Sequence, residues 1–339
     1  MEISKKQSNH LKAIAILMML CLHLFNRDYN GLFSPLIFIG EKPLSFYISL
    51  FCDACVPIFA FVSGYGLYIK FEKDKVSFIK SNLIRIKKLY INFWLIIIIF
   101  PLGFGLLFNT PDIPGSVLTF LLNSSGFYTS YNPSWWFLTT YILFVVSSSF
   151  WFSVFNRIHK FFFFIILLIL YIVSFYLRNY KTLDFELPFI NWFLRQVILF
   201  FCTLFQFMLG PYLYKFYMKS YLNNYLHTLK YKGILFLIGI LLLIFLHALI
   251  PNFFIAPFTG IVFIILFIQL KLHKNIVLFL DFMSKHSTNI WLTHMFFYLI
   301  FFSTFIYSFR FPILIFFALV TLCILSSYFI NFFYNRLVN

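Results

Sequence analysis

The sequence predicts an all-α fold: a polytopic transmembrane helical bundle of about ten spans, with both termini cytoplasmic. Of the 339 residues, 62% are hydrophobic and 11% charged, and the mean hydropathy is +0.92. That balance excludes an ordinary soluble domain. Apolar stretches long enough to cross a hydrocarbon core recur along the whole chain. With the amino terminus inside, 20 of the 26 Lys and Arg fall on inner segments and inner helix ends, a strong positive-inside bias. The net charge of +16 then reads as topology together with attraction to anionic membrane lipid or an anionic cytosolic co-substrate, and not as nucleic-acid binding.

Spans are expected at about 11–25, 46–69, 90–108, 135–155, 161–177, 190–214, 233–250, 254–270, 286–309 and 311–332. The first is short and follows Lys5 and Lys6, as the apolar core of a signal peptide would. Lys12 and His23 interrupt it and no small-residue cleavage site follows, so it is read as a retained helix. Pro57, Pro211 and Pro257 fall in or near spans, where they either kink helices around a cavity or reflect irregular packing. Runs such as Phe161 to Phe164, within a total of 54 Phe, carry little positional meaning one by one. The outer loop 109–134 is neutral and polar and suits a cover over an external cavity, whereas 70–88 reads as a solvated basic inner loop. Neither is long enough to bury a core of its own, so residues 1–339 are expected to form a single integral-membrane domain with no appended soluble domain. No internal repeat of the transporter type is visible.

Lys12 and His23 are the most informative pair. Eleven positions at ~100° each return both side chains to one helix face, ~16 Å apart along the axis. A cation and an imidazole within a span are costly unless they face protein or water, so the stripe marks a functional site. His23, of a residue type that titrates near neutrality, is the candidate base; a structural histidine bonded to a neighbouring helix is the alternative. Asp53, an acidic residue near the outer end of the second span, is placed to orient His23, to bind an acceptor or to face interfacial water. Ser63 and Gly64 permit close backbone approach, for helix packing or a narrow substrate channel.

Trp135 and Trp136 open the fourth span at the outer interface, as an aromatic belt or as faces for a sugar ring. His294 lies at mid-depth of the ninth span, and His247 lies in an apolar helix without a motif. His10, His159, His227, His273 and His286 fall in basic inner segments, where surface or headgroup contact is the simple reading. Five cysteines imply neither a disulfide framework nor a zinc site, and no metal cluster or phosphate-binding glycine loop is seen.

Five segments together resemble the acyltransferase 3 family of integral-membrane acyltransferases, which modify sugars on cell-surface glycans. They are Lys12 to Ile16 running on to His23, Val56 to Phe59 with Ser63-Gly64-Tyr65, Arg85 to Tyr90, Trp135 to Leu138, and Ser287 to His294. They occur in family order across nearly the full chain. Lys12 stands where the family often has Arg, which keeps the charge and gives up bidentate anion recognition. The resemblance implies acyl transfer from a thioester to a sugar hydroxyl, with His23 catalytic and acetyl-CoA as donor and co-substrate. Lys12, Ser63, Gly64, Tyr65, Arg85 and Lys88 would bind the acyl-CoA or organise the site, with Asp53 and His294 in support and Trp135 and Trp136 against the acceptor.

No metal is implied. The expected partners are acetyl-CoA, a surface glycan of capsule or O-antigen type or its lipid-linked precursor, and membrane lipids, in a multi-pass protein of a bacterial cytoplasmic membrane. A flippase of lipid-linked sugars, a non-catalytic scaffold of glycan assembly, and a lipid or protein acyltransferase of another family are the alternatives.

Overall fold

The computed structural model describes residues 3–28, 31–181, 184–217, 232–250 and 252–338. The protein is 82% helical, and the β structure among the described residues is a small hairpin, β1 (Phe38–Ile39) with β2 (Lys42–Pro43). Among the described residues, seven helical stretches are long and apolar enough to cross a membrane, and shorter apolar helices occupy Gly233–Leu249 and Phe253–Phe267.

Local chemistry sets the first boundaries. Helix α1 (Lys5–Phe25) starts from a capping box: the Gln7 N–H donates to Ser4 Oγ at 3.1 Å and the Ser4 N–H donates to Gln7 Oε1 at 3.0 Å. After the hairpin, α2 (Leu44–Phe51) runs through a 3₁₀ turn, Cys52–Ala54, into α3 (Cys55–Lys73). Pro57 falls in the first turn of α3, where its missing N–H costs least. One residue, Asp74, turns the chain into α4 (Lys75–Ile97); its carboxylate accepts from the N–H groups of Val76 and Ser77 at 3.1 and 3.0 Å. The expected inner loop 70–88 is therefore mostly helix. Beyond α4 the backbone widens into π-helical geometry over Ile98–Phe104, around Pro101, which lacks the N–H a regular helix would use there.

The outer loop is not a simple cover. It contains α5 (Val117–Ser124) and is fastened to α4, with Tyr90 Oη donating to Ser125 O at 2.7 Å and Trp94 Nε1 to Ser124 O at 2.9 Å. There follow α6 (Trp136–Arg157), α7 (Lys160–Asn179), α8 (Pro188–Tyr217), α9 (Lys232–Leu249) and α10 (Ala256–Phe267). The last are α11 (Lys274–Met295), a π-helical continuation over Phe296–Phe301, α12 (Ser303–Ser308) and α13 (Pro312–Val338).

The core divides into two apolar clusters that meet at α3. One joins α1, α3, α11 and α13 through residues such as Leu20, Ile58, Ile290 and Cys323. The other is aromatic and joins the opposite face of α3 to α6, α7 and α8 through Tyr68, Phe152, Phe163 and Phe207. Phe207 stacks on both Phe144 and Phe152, with centroids 4.5 and 5.8 Å apart. Helical geometry also sorts the phenylalanine run: Phe163 is 2% exposed, while Phe161 and Phe162 are 62% and 63% exposed and face the lipid side. In lipid, close backbone approach replaces the hydrophobic effect as the packing force. The α3–α8 crossing supplies that approach, because a Cβ at Gly64 would lie 1.9 Å from Phe207 O and one at Gly210 would lie 2.4 Å from Tyr65 N.

Two histidines expected at the surface are buried. His10 is 4% exposed and its Nε2 lies 2.8 Å from Asp281 on α11, with Lys6 Nζ 3.4 Å from the same carboxylate. His286 is also enclosed, with Nδ1 2.9 Å from Ser327 Oγ on α13. Helix α11 packs on both α1 and α13, and this closes over residues that sequence position alone assigns to a basic loop. His247 is buried between Leu50 O at 3.1 Å and Thr259 Oγ1 at 3.0 Å. His227 lies outside the described residues.

Candidate active site

A cavity of about 840 Å³ opens among α1, α3, α4, α6 and α11, and both Lys12 and His23 line it. The single stripe expected on α1 is therefore one wall of this cavity. Arg85, Lys88 and Lys285 line the cavity with Lys12. Among the described residues, none of these four cations has an acidic partner. Lys12 and Arg85 are near enough to repel one another, and Arg85 Nη1 reaches the Tyr141 hydroxyl at 3.5 Å. A cluster of unpaired cations in a partly buried wall is a ready anion site.

His23 is held by a second imidazole. His23 Nδ1 lies 2.6 Å from His294 Nε2, with the rings 4.9 Å apart and inclined by 17°. The other nitrogen of His294, Nδ1, faces two backbone oxygens, Trp291 O at 2.8 Å and Ile290 O at 3.2 Å. Carbonyls only accept, so Nδ1 of His294 carries the proton and its Nε2 offers a lone pair. His23 Nδ1 must then donate. This leaves the lone pair of His23 on Nε2, in a ring that lines the cavity while His294 does not. Tyr298 stacks against both imidazoles, with centroids 6.5 and 6.0 Å away. His294 thus holds the orienting place that the sequence also offered to Asp53.

Asp53, in the 3₁₀ turn between α2 and α3, lines the cavity beside Asn26 and is 9% exposed. Its Oδ1 has no hydrogen-bond partner among the described residues. Ser63 lines the cavity, but Gly64 and Tyr65 do not. Gly64 is spent on the contact with α8, and the Tyr65 hydroxyl accepts the Ile3 N–H at 2.8 Å. The tryptophan pair also divides. Trp136 faces the cavity under Arg178, whose guanidinium sits 5.1 Å above its ring. Trp135 is fully buried and its Nε1 donates to Leu292 O at 3.0 Å. Both readings at the outer interface therefore fail for Trp135, which braces the His294 segment of α11. Of the outer loop 109–134, Ser134 alone lines the cavity.

Several contributors carried no motif in the sequence. Asn92 donates to Asn289 Oδ1 at 2.6 Å, and Asn289 donates to Ser327 Oγ and Asn331 Oδ1, each at 2.9 Å. This polar chain ties α4, α11 and α13 together along the cavity. The signal for it was asparagine recurring within apolar spans, where an amide needs a partner. Arg27, one turn beyond His23, lines the cavity and sits 5.5 Å above the Tyr298 ring.

No curated protein and no solved structure matches the chain. A family model described as an acyltransferase domain matches residues 6–332, nearly the whole length and every residue that lines the cavity except Tyr334. The chain is a multi-pass membrane acyltransferase and belongs to the acyltransferase 3 family.

Proposed function

We propose that the protein is an O-acetyltransferase that moves an acetyl group from cytosolic acetyl-CoA to a sugar hydroxyl of a surface polysaccharide or its lipid-linked precursor. One observation carries the reading: a single cavity holds the cations Lys12, Arg85 and Lys88 together with the oriented base His23. Ten spans with both termini cytoplasmic would put Lys12 at the inner end and His23 toward the outer end of α1. The anionic part of CoA would bind among the cations, and its thioester arm would run along α1 past Ser63 to His23.

In the transfer step, the acceptor hydroxyl oxygen attacks the thioester carbonyl while His23 Nε2 takes its proton. The new C–O bond forms, the C–S bond breaks, and the CoA thiolate leaves and receives that proton. The products are the O-acetyl sugar and free CoA thiol. His294 accepts from His23 Nδ1 throughout, which keeps the ring in register. Arg27, whose Nη2 lies 3.5 Å from His23 O, supplies positive charge close to where the carbonyl oxygen becomes anionic.

The test is the O-acetyl content of purified surface glycan, by NMR, in cells carrying the intact chain, a deletion or His23→Ala at equal membrane abundance. Loss of acetyl signals in both variants supports the reading. Full acetylation with His23→Ala removes His23 from the chemistry, and intact acetylation with failed glycan export in the deletion would make the protein a transporter.

A further inference from the structure

We propose that a pocket opening beside Asp53 is a second sugar subsite, which takes the residue adjacent to the one acetylated. The proposal rests on the glycan acetyltransferase reading above and adds where the rest of the acceptor lies. The pocket has a volume of about 440 Å³ and is lined by Lys42, Phe46, Tyr47, Leu50 and Ala248. It shares Asn26, Asp53 and Phe253 with the cavity that holds His23, so the two spaces adjoin and Asp53 stands at the neck.

The chemistry of the neck selects the ligand. Asp53 is 9% exposed and lies in hydrogen-bonding reach of the Asn26 amide, while its Oδ1 has no donor among the described residues. A carboxylate oxygen held away from water without a donor is destabilising, so its place is explained by a ligand that brings hydroxyls. A carboxyl group can hydrogen-bond two neighbouring hydroxyls at once, and the Asn26 amide beside it both donates and accepts, as sugar recognition requires. Phe46 and Tyr47 supply aromatic surface for the C–H face of a ring. Lys42 Nζ sits 4.1 Å above Phe46, and Lys42 and Asp53 are the Lys, Arg, Asp or Glu side chains that line the pocket among the described residues. This mixed lining suits a hydroxyl-rich ring better than an acyl chain. Its walls come from the β1–β2 to α2 segment, the end of α9 and the turn at Phe253, connections that the proposed topology places on the outer face, where a surface glycan arrives.

The experiment uses the full chain in lipid nanodiscs with acetyl-CoA, reading CoA thiol release. Acceptors are mono- and trisaccharide fragments of de-O-acetylated surface polysaccharide from the host cells. The unaltered protein should show a KM for the trisaccharide at least about tenfold below that for the monosaccharide. Ala248→Phe, which fills the pocket, and Asp53→Asn, which removes the carboxylate, should each bring that ratio close to one. Tyr47→Ala, at the half-exposed rim, should reduce the ratio and carries the test if Ala248→Phe does not fold. Equal KM values for the two acceptors in the unaltered protein, or a ratio untouched in folded variants, would overturn the subsite alone. Absence of CoA release with either glycan would overturn the acetyltransferase reading with it.

Discussion

His294 Nε2 accepts from His23 Nδ1 at 2.6 Å, and His294 is itself anchored through Nδ1 to Trp291 O at 2.8 Å. A carbonyl, a neutral imidazole and a second neutral imidazole form a directed chain, and its direction is set at the carbonyl end. Reversing it would set the lone pair of His294 Nδ1 against the oxygens of Trp291 and Ile290 with no proton between them, and would move the N–H of His23 to Nε2, which faces the cavity. The arrangement fixes the tautomer of His23 as a carboxylate does in a serine-protease triad, with a neutral ring in the carboxylate's place.

His23→Ala should lower acyl transfer by at least about 100-fold, the scale of losing a positioned base. His294→Ala should lower kcat substantially, with KM for acetyl-CoA within about twofold, because His294 acts through His23 and touches no part of the cavity. His294→Gln, whose amide oxygen can still accept from Nδ1, should recover part of the loss. Steady-state kinetics on purified protein separate these outcomes. A His294→Ala protein that folds and keeps full kcat would show that the second ring only fills space.

Lys12 and Arg85 should act on donor affinity. Each contributes a charge-assisted contact worth about 1.5–3 kcal/mol, so Lys12→Ala or Arg85→Ala should raise KM for acetyl-CoA by roughly 10- to 100-fold, with a smaller change in kcat. Lys12→Arg should retain most of the affinity, since charge at this position matters more than its shape. Competition by free CoA gives an independent reading: its inhibition constant should rise in parallel. An unchanged KM in either alanine variant would place the anion elsewhere.

Sequence periodicity read the helical bundle well, because apolar runs of span length have few other solutions. The Lys12–His23 stripe was legible for the same reason, since helical spacing alone puts both on one face. Residues whose role depends on what approaches from another helix were not legible. Trp135 reads like Trp136 in the chain, yet one is enclosed against Leu292 O and the other faces the cavity. Gly64 and Ser63 are neighbours, but only Ser63 opens to the site. His294, 271 positions from His23, had no local pattern to announce the pairing, and the asparagine chain from Asn92 to Asn331 is likewise a product of three helices meeting. Tertiary contact decides each of these cases.

Gly64 and Gly66 give a matched pair for the packing claim. A Cβ at Gly64 would meet Phe207 O at 1.9 Å, whereas one at Gly66 meets nothing within 4 Å. The obstacle at Gly64 is backbone, which cannot rotate away, so Gly64→Ala should destabilise by at least about 1–3 kcal/mol, the usual range for overpacking. Gly66→Ala should be neutral or slightly stabilising, since alanine is favoured over glycine in a helix by about 1 kcal/mol. Thermal unfolding in detergent, followed by a size-exclusion profile, checks both. Equal stability of the two variants would contradict the α3–α8 crossing.

Asp281 supplies a pH-dependent tie between α1 and α11. It precedes the expected ninth span, and the hydrogen bond from His10, reinforced by Lys6 at 3.4 Å, holds its carboxyl below the ordinary carboxylate range. A lowered folded-state value means that the unfolded chain binds this proton first as pH falls. The tie is therefore fully present above the ordinary value of about 3.9 and is lost as pH drops through the lower folded value. Because the carboxylate is solvent-facing, the effect is small. Asp281→Asn should lower Tm by roughly 1–3 °C at pH 7, with the gap to the unaltered protein narrowing as pH falls below the ordinary carboxylate value and through the lower folded one. Raising the salt concentration should narrow the gap at pH 7 through screening of Lys6, leaving the His10 hydrogen bond as the residual part. A gap that stays constant from pH 7 to pH 3 would mean that the substitution acts through packing and that the ionised carboxylate contributes nothing.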